Sequence, residues 1–270
     1  MLRSSNPVLS RQDAFTPAAP QYGQSQYQQS PYGYPQYPGQ APVQAPEGRM
    51  TFDDVVTKTA ITMAVLILSA AVAWFAMPPQ FTIPALILSG LVGFVVVLIV
   101  SFRRVVNPTL VLVYAAIEGI FIGLISKFFE YLYSGIVAQA VLGTFAAAGV
   151  TLAAYKFFNI RVTPKFTKIV VISTIAFAVA MLLNFGLSLF GINLGLRDAG
   201  TGPVSLLAVG VALLGAVLAV LNLVLDFDYI EKGIALGAPA RESWRGAFGL
   251  TVTMVWLYIE ILRLLSYLRR

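Results

Sequence analysis

The sequence PVSLLAVGVALLGAVLAVLNLVLDF fills residues 203–227, and no charged residue occurs in it before Asp226. A helix rises about 1.5 Å per residue, so about 20 apolar residues cross the roughly 30 Å of hydrocarbon in a bilayer. Lipid offers no hydrogen-bond partner to exposed backbone amides, and a long run without alternation is not typical of a barrel strand. This stretch therefore predicts a transmembrane helix.

Six more runs of the same kind lie in the chain. The seven predicted spans are 59–77, 82–102, 108–127, 135–157, 168–190, 203–227 and 246–267. Pro108 and Pro203 suit the first turn of a helix, and Ser134 can cap the fourth span. The chain is 58% hydrophobic and 11% charged, whereas a typical soluble domain has about 25% charged residues. We predict an all-α membrane protein with seven transmembrane helices.

Residues 1–48 belong to a different compositional class. From Gln21 to Gln40 the sequence contains only Gln, Tyr, Gly, Pro and Ser, which supply no apolar stripe and no aliphatic core. We predict a disordered, cytoplasmic tail at 1–48 and a membrane domain at 49–270. The tail lacks the features of a secretory signal, so the first span is expected to act as a signal anchor. A Tyr/Gln-rich docking segment is the alternative interpretation of the tail.

The chain contains no Cys and no His. Thiolate metal sites, iron–sulfur clusters and thiol nucleophiles are therefore excluded, and we predict neither a metal site nor a cofactor. The sequence also lacks the zinc-protease, serine-hydrolase and P-loop motifs. An intramembrane aspartyl protease needs acids on facing helices, whereas Asp226 and Asp228 share one span. We do not expect an enzyme.

Lys and Arg concentrate in alternate connections, and this asymmetry predicts the orientation. The basic connections contain Arg103, Arg104, Lys156, Arg161, Lys165, Lys168, Lys232, Arg241 and Arg245. We expect them and the N-terminus to be cytoplasmic, at the plasma (inner) membrane of a prokaryote, because no organelle signal is visible. The net charge of +6 suits anionic membrane lipids as partners, and nucleic acid is not needed to explain it.

The other connections contain few cations, such as Arg197 beside Asp198. Seven full crossings would also place Arg263, Arg269 and Arg270 toward the outer side, against the positive-inside rule. Either the seventh span is held by its neighbours despite these charges, or it is re-entrant. Both alternatives remain open at this stage.

Glu118 lies near the middle of the third span. A carboxylate in hydrocarbon costs about 2.5–3.5 kcal/mol even on the lenient insertion scale, so such residues usually face a polar cavity. The alternative is a structural hydrogen bond to a neighbouring helix, helped by close packing at Gly119 and Gly123, which form a small-xxx-small face.

Four further ionisable residues lie late in the chain. Asp226 and Asp228 end the sixth span, and Glu260 precedes Arg263 by one turn in the seventh. Asp226 and Asp228 are two residues apart, so on a helix they should not both face one cavity. The alternative to a functional role is that both acids are solvated at the headgroups, where the helix leaves the hydrocarbon. For Glu260 the alternative is an i,i+3 pair with Arg263.

Two carboxylates that share a proton would form a gate without histidine. At lower pH such a pair is bridged and neutral and holds its helices together, whereas at higher pH the two charges repel. When ionised, the same oxygens suit a hard cation such as Ca²⁺.

Three segments resemble the Bax inhibitor-1-like (transmembrane Bax inhibitor motif) family of membrane proteins. They are IEGIFIG around Glu118, LNLVLDFDYI around Asp226 and WLYIEILRLLSYL around Glu260, and the resemblance covers about 50–270 without the tail. It implies a seventh helix surrounded by the other six, and an acid pair linking the sixth and seventh helices as a pH-sensitive latch on a calcium leak. The implied latch falls on Asp226 or Asp228, with Asp226 preferred, and on Glu260 beside Arg263.

The resulting hypothesis is a pH-sensitive leak for Ca²⁺ or another cation, gated by a buried carboxylate pair. A proton-coupled secondary transporter is one alternative, although we find no convincing pair of interrupted helices for it. The other alternative is a regulatory protein that acts through helix contacts with membrane-protein partners, for example in membrane proteolysis.

Overall fold

A computed structural model describes residues 48–158, 160–192, 194–197 and 204–270. The tail predicted at 1–48 therefore lies, except for Gly48, outside the described residues. Seven α-helices follow one another along the chain. They are α1 (Phe52–Ala76), α2 (Pro79–Phe102), α3 (Pro108–Leu132), α4 (Ile136–Phe157), α5 (Pro164–Leu189), α6 (Leu206–Ala235) and α7 (Glu242–Leu268). Each helix is long and apolar enough to cross a membrane, which confirms the predicted fold class.

Local sequence sets where the helices begin. Thr51, Asn107, Thr163 and Ser205 each accept a hydrogen bond from a backbone N–H of the first turn that follows. The cap predicted at Ser134 is wrong. Gly135, in the left-handed conformation with φ of 78°, precedes α4, and the carboxylate of Glu130 accepts from the backbone N–H groups of Gly135 and Val137.

The alternating helices define two ends of the bundle. We call the end with the start of α1 and the α2–α3, α4–α5 and α6–α7 connections the amino-terminal face. The opposite end, with the end of α7, is the carboxyl-terminal face. Cross-links hold each face together: Lys58 donates to the carbonyl of Ala240 at 2.9 Å on the first, and Arg269 donates to the carbonyl of Ser134 at 2.7 Å on the second.

The course of α7 decides between the two alternatives for the C-terminus. It is one continuous helix of 27 residues, about 40 Å long, and its end contacts the α3–α4 connection. Arg269 also donates to Oε1 of Gln139 at 2.8 Å, and Arg270 donates to the hydroxyl of Tyr133 at 3.1 Å. α7 thus runs between its neighbours from one face of the bundle to the other and does not turn back as a re-entrant segment would, which supports the first alternative.

α7 also carries more buried residues than any other described helix. It packs closely against α1, α3, α4 and α6. α5 reaches it through the side chain of Phe177, and α2 shares an apolar cluster with Phe248. An arrangement with all six helices around α7 is therefore not confirmed. The predicted close packing at Gly119 and Gly123 is confirmed, because a Cβ on either would lie 2.3 Å from a backbone carbonyl oxygen of α1.

Candidate functional site

Glu260 forms the most buried ion pair that the structure describes. Its side chain, on α7, is 2% exposed. Arg197, from the α5–α6 connection, donates to both carboxylate oxygens at 2.6 Å, and Trp256 donates a third hydrogen bond to Oε1 at 3.2 Å. A bidentate guanidinium–carboxylate pair is short, strong and geometrically specific. It offsets the cost of holding Glu260 among apolar helices.

The site has room for this pair because Gly215 of α6 has no side chain. A Cβ at that position would lie 2.7 Å from Cδ of Glu260 and 2.8 Å from Cζ of Phe177 on α5. The guanidinium of Arg197 lies 5.6 Å from the ring centre of Phe177, and its Nε is 3.1 Å from the sulfur of Met181. Three helices and one connection thus converge on Glu260.

This arrangement corrects two predictions for Glu260. Its partner is neither Arg263, one turn later on α7, nor Asp226, but Arg197, which we had placed with Asp198 in an outward-facing connection. The Nε of Arg263 is buried without a hydrogen-bond partner among the described residues. A signal for Arg197 was present in the sequence. The segment GINLGLR is apolar and glycine-rich, so its single cation had a reason to turn inward.

Asp226 contacts α7 through a neutral partner. Thr253 donates a hydrogen bond to Oδ2 of Asp226 at 2.6 Å, and a Cβ on Gly249 would lie 3.1 Å from Oδ1. Thr253 precedes Glu260 by two helical turns, about 10 Å along the axis. The predicted pairing of Asp226 with Glu260 is therefore absent, and the sixth and seventh helices meet through a carboxylate and a hydroxyl.

Asp228 lies on the same cleft as Asp226. It forms an ion pair with Lys232 at 2.6 Å, and both aspartates line a cleft of about 600 Å³ at the amino-terminal face, together with Glu242. The expectation that the two aspartates cannot face one cavity is wrong. The cleft extends around α6, from Thr167 of α5 on one side to Met50 before α1 on the other. Side chains that leave α6 in different directions can therefore both line it.

Polar side chains continue from this cleft toward the middle of the bundle. Asn222, which also lines the cleft, donates to the hydroxyl of Thr174 on α5 at 2.7 Å. Beyond it, the rings of Phe177 and Trp256 lie 5.7 Å apart between centroids. On α7, Trp256 lies between Thr253, which contacts Asp226, and Glu260, so along that helix the aromatic pair falls between the acidic cleft and the ion pair.

Glu118 lies outside this site, between α2 and α3. Its Oε2 would be 2.8 Å from a Cβ on Gly93 of α2, so the missing side chain of Gly93 makes room for the carboxylate. No hydrogen bond or ion pair joins Glu118 to a residue that the structure describes. Neither of its predicted roles, a polar cavity or a hydrogen bond to a neighbouring helix, is supported by these contacts. Within the described part of the chain, no cluster of three or more acidic side chains is arranged to hold a metal ion.

These features define a polytopic α-helical membrane protein with seven spans and a buried polar site between its last three helices. The chain belongs to the Bax inhibitor 1 like family, whose model matches residues 6–270. The match confirms the resemblance seen around Glu118, Asp226 and Glu260. It also begins well before residue 50, so the expectation that the resemblance leaves out the N-terminal tail is wrong. No curated protein matches the chain.

Proposed function

We propose that this protein is a cation leak of the plasma membrane, with its N-terminus in the cytoplasm and its path between α5, α6 and α7. The observation that carries the proposal is the acidic cleft at the amino-terminal face. Three carboxylates line it, those of Asp226, Asp228 and Glu242, together with one cation, Lys232, which pairs with Asp228. Asn222 extends it inward. Carboxylates at the mouth of a narrow path raise the local concentration of cations and select against anions.

Two features would keep this path closed. The first is the apolar barrier formed by Phe177 and Trp256, since a hydrophobic constriction excludes hydrated ions. The second is Arg197. Its guanidinium binds both oxygens of the Glu260 carboxylate and so fills the position where a passing cation would bind. An ion can reach Glu260 only when Arg197 leaves it.

Opening would require α5 to move, together with the connection that holds Arg197. Among the residues described, α5 buries only Val170 and Phe177. It contacts α7 through side chains and not through close packing of the two helix backbones. A helix with so few buried contacts is a reasonable element to separate from the bundle. The same seven helices run without interruption, which favours a leak over a secondary transporter built from broken helices.

The pH response would come from Asp226 as a single acid rather than from a carboxylate pair. An ionised Asp226 attracts a cation to the inner end of the cleft, whereas the protonated form does not. Since the hydroxyl of Thr253 can donate or accept, their hydrogen bond can persist in both states. We therefore expect flux to rise with pH without a sharp transition.

Flux into proteoliposomes tests this function. Purified full-length protein is reconstituted with an enclosed calcium-sensitive dye or, in parallel, a potassium-sensitive dye, and Ca²⁺ or K⁺ entry is followed at pH 6 and pH 8. We expect Asp226→Asn to reduce flux at pH 8 more than Asp228→Asn does, and to remove most of the pH dependence. The double variant Arg197→Gln with Glu260→Gln removes the tethered cation together with its carboxylate partner, and should increase flux.

Asp53→Asn is the matched control, because Asp53 is an exposed acid in the first turn of α1 and lies outside the cleft. It should leave flux unchanged. Flux no greater than in empty liposomes, from the wild type and the double variant at both pH values and for both ions, would refute the leak.

A further inference from the structure

A second cavity lies on the opposite half of the bundle, away from the acidic cleft. It has a volume of about 320 Å³ and lies between α1, α3, α4 and α7. We call it the lateral pocket. Its wall on α1 runs from Met63 to Phe75, and its wall on α4 runs from Val137 to Phe145. Both stretches belong to the half of the helix nearer the carboxyl-terminal face.

The lateral pocket is a poor site for bound water. Its few polar side chains satisfy one another or their own helix: Ser126 and Tyr258 share a hydrogen bond of 2.6 Å, and Thr144 donates to the carbonyl of Ala140 at 2.7 Å. A buried water needs two to four polar partners, and an unfilled cavity forfeits dispersion contacts. An apolar occupant is therefore favoured.

The lateral pocket opens sideways into the bilayer. α1 and α4 do not pack against each other, and the side chains at the two edges of the opening are exposed, with Ile67 at 53% and Phe145 at 52%. In a membrane these edges face hydrocarbon, so an acyl chain can enter without crossing water.

The depth of the pocket matches half a bilayer. Met63 and Phe75 are twelve residues apart on α1, which corresponds to about 18 Å of helix, and half of the hydrocarbon thickness is about 15 Å. Phe75 is next to the last residue of α1, so the pocket extends from the bilayer centre to the interface. Trp74, one residue earlier, is a residue type that favours that interface.

Two cations contact segments that adjoin the interfacial end of the lateral pocket. Lys127 follows the pocket residue Ser126, and its ammonium lies 3.5 Å from the carbonyl of Met77, just beyond α1. An ammonium has three donors, so this long contact leaves Lys127 able to bind an anion. Across the rim, Arg269 is held beside the start of α4 by Ser134 and Gln139. These charges lie on the face where the positive-inside rule expects few.

We propose that the lateral pocket binds a phospholipid. One acyl chain fills the pocket, and the phosphate lies at Lys127 with Arg269 on the far side of the rim. The second chain lies along the outside of α4, where Leu142 is 72% exposed. The site is independent of the proposed ion path and accounts for basic residues that orientation alone does not explain.

Native mass spectrometry of the full-length protein in detergent tests the site. The probe is dioleoylphosphatidylglycerol, titrated against the wild type and against Ala71→Trp, which places an indole in the pocket. Leu68→Trp is the matched control, because Leu68 lies on the same helix, is 66% exposed and does not line the pocket. We expect one saturable lipid on the wild type and on Leu68→Trp, and at least tenfold weaker binding to Ala71→Trp.

A separate set of variants tests the contact between Lys127 and the lipid phosphate. Lys127→Gln should weaken binding about fivefold, the value for one cation near an anionic surface, whereas Lys165→Gln at the amino-terminal face should not. Dioleoylglycerol, which lacks the phosphate, should bind Lys127→Gln and the wild type equally. Equal lipid binding by Ala71→Trp and Leu68→Trp, or only unsaturable binding to the wild type, would overturn the proposal. Because no ion flux is measured, these outcomes leave the leak hypothesis untouched.

Discussion

Thr253 on α7 donates a hydrogen bond of 2.6 Å to the carboxylate of Asp226 on α6. The family resemblance implied an acid on each helix at this contact, and sequence matching had assigned the second acid to Glu260. The structure gives the contact to a hydroxyl instead. A hydroxyl adds no second negative charge, so the electrostatic repulsion that would open a two-acid latch is missing.

Replacing Thr253 with an acid should restore that repulsion. In Thr253→Asp the two carboxylates would face each other, share one proton at low pH and repel at high pH. We expect proteoliposome flux to acquire a steep rise between pH 6 and pH 8 that the wild type lacks. Thr251→Asp is not a suitable control because Thr251 is fully buried, so Asp53→Asn serves again. A flux profile identical to that of the wild type would contradict the role of this contact.

Thr253→Val gives the complementary result. It removes the donor to Asp226 while conserving shape, so the α6–α7 contact should weaken and basal flux should increase. Thr251→Val is its control, since among the described residues the hydroxyl of Thr251 bonds only to the carbonyl of Ala247 on its own helix at 2.8 Å. If both valine variants raise flux equally, the effect belongs to general loosening of α7.

Hydropathy predicted the number and order of the helices, because each span must be apolar over the hydrocarbon thickness. Hydropathy predicted the first and last residues of the helices less accurately. α1 begins at Phe52 rather than 59 and α6 extends to Ala235 rather than 227, because the terminal turns carry charges such as Asp54 and Lys58 and leave the apolar run. We expect these charged helical turns to lie at headgroup depth.

The partners of the buried acids were not predictable in the same way. The pairing of Glu260 with Arg197 joins residues 63 positions apart. The apolar segment before Arg197 indicates an inward-facing cation, but it does not identify Glu260 as its partner. The choice depends on Gly215, whose missing side chain opens the space on α6. Small residues are common where transmembrane helices pack, so the sequence alone does not show that Gly215 makes room for an ion pair.

The Arg197–Glu260 pair should show strong energetic coupling. Arg197→Ala leaves an unpaired buried carboxylate and should lower the free energy of unfolding by about 3–5 kcal/mol. Adding Glu260→Gln should recover much of that loss, because the unpaired carboxylate is gone. Unfolding in mixed micelles of increasing denaturing detergent measures the double-mutant cycle. Additive effects would show that the pair does not form.

The pair Asp228–Lys232 is the control for this cycle. Its geometry is equally short at 2.6 Å, but the side chain of Lys232 is 60% exposed. Exposed pairs contribute about 0–1 kcal/mol, so Lys232→Ala should change stability little. Comparable losses from Lys232→Ala and Arg197→Ala would contradict the burial argument.

Glycine on α3 should be essential for packing against α1. In Gly123→Ala the new Cβ would lie 2.3 Å from the backbone carbonyl oxygen of Ala70. The contact is with rigid backbone, so the helices must separate, and we expect a loss of about 1–3 kcal/mol or more. Gly149→Ala on α4 meets nothing within 4 Å and should be neutral, or stabilising by up to about 1 kcal/mol. Thermal unfolding in detergent compares the two.

The crossing of α7 can be tested directly, because the sequence contains no Cys and any introduced thiol is unique. Leu236 and Leu268 flank α7 and are exposed to similar extents, 86% and 81%, which makes Leu236→Cys and Leu268→Cys a matched pair. A membrane-impermeant maleimide applied to intact cells should label Leu268→Cys, whereas Leu236→Cys should react only after permeabilisation. Labelling of both from one side would contradict the full crossing. Labelling of Leu236→Cys alone would preserve the crossing but invert the proposed orientation, and would place the acidic cleft outside the cell.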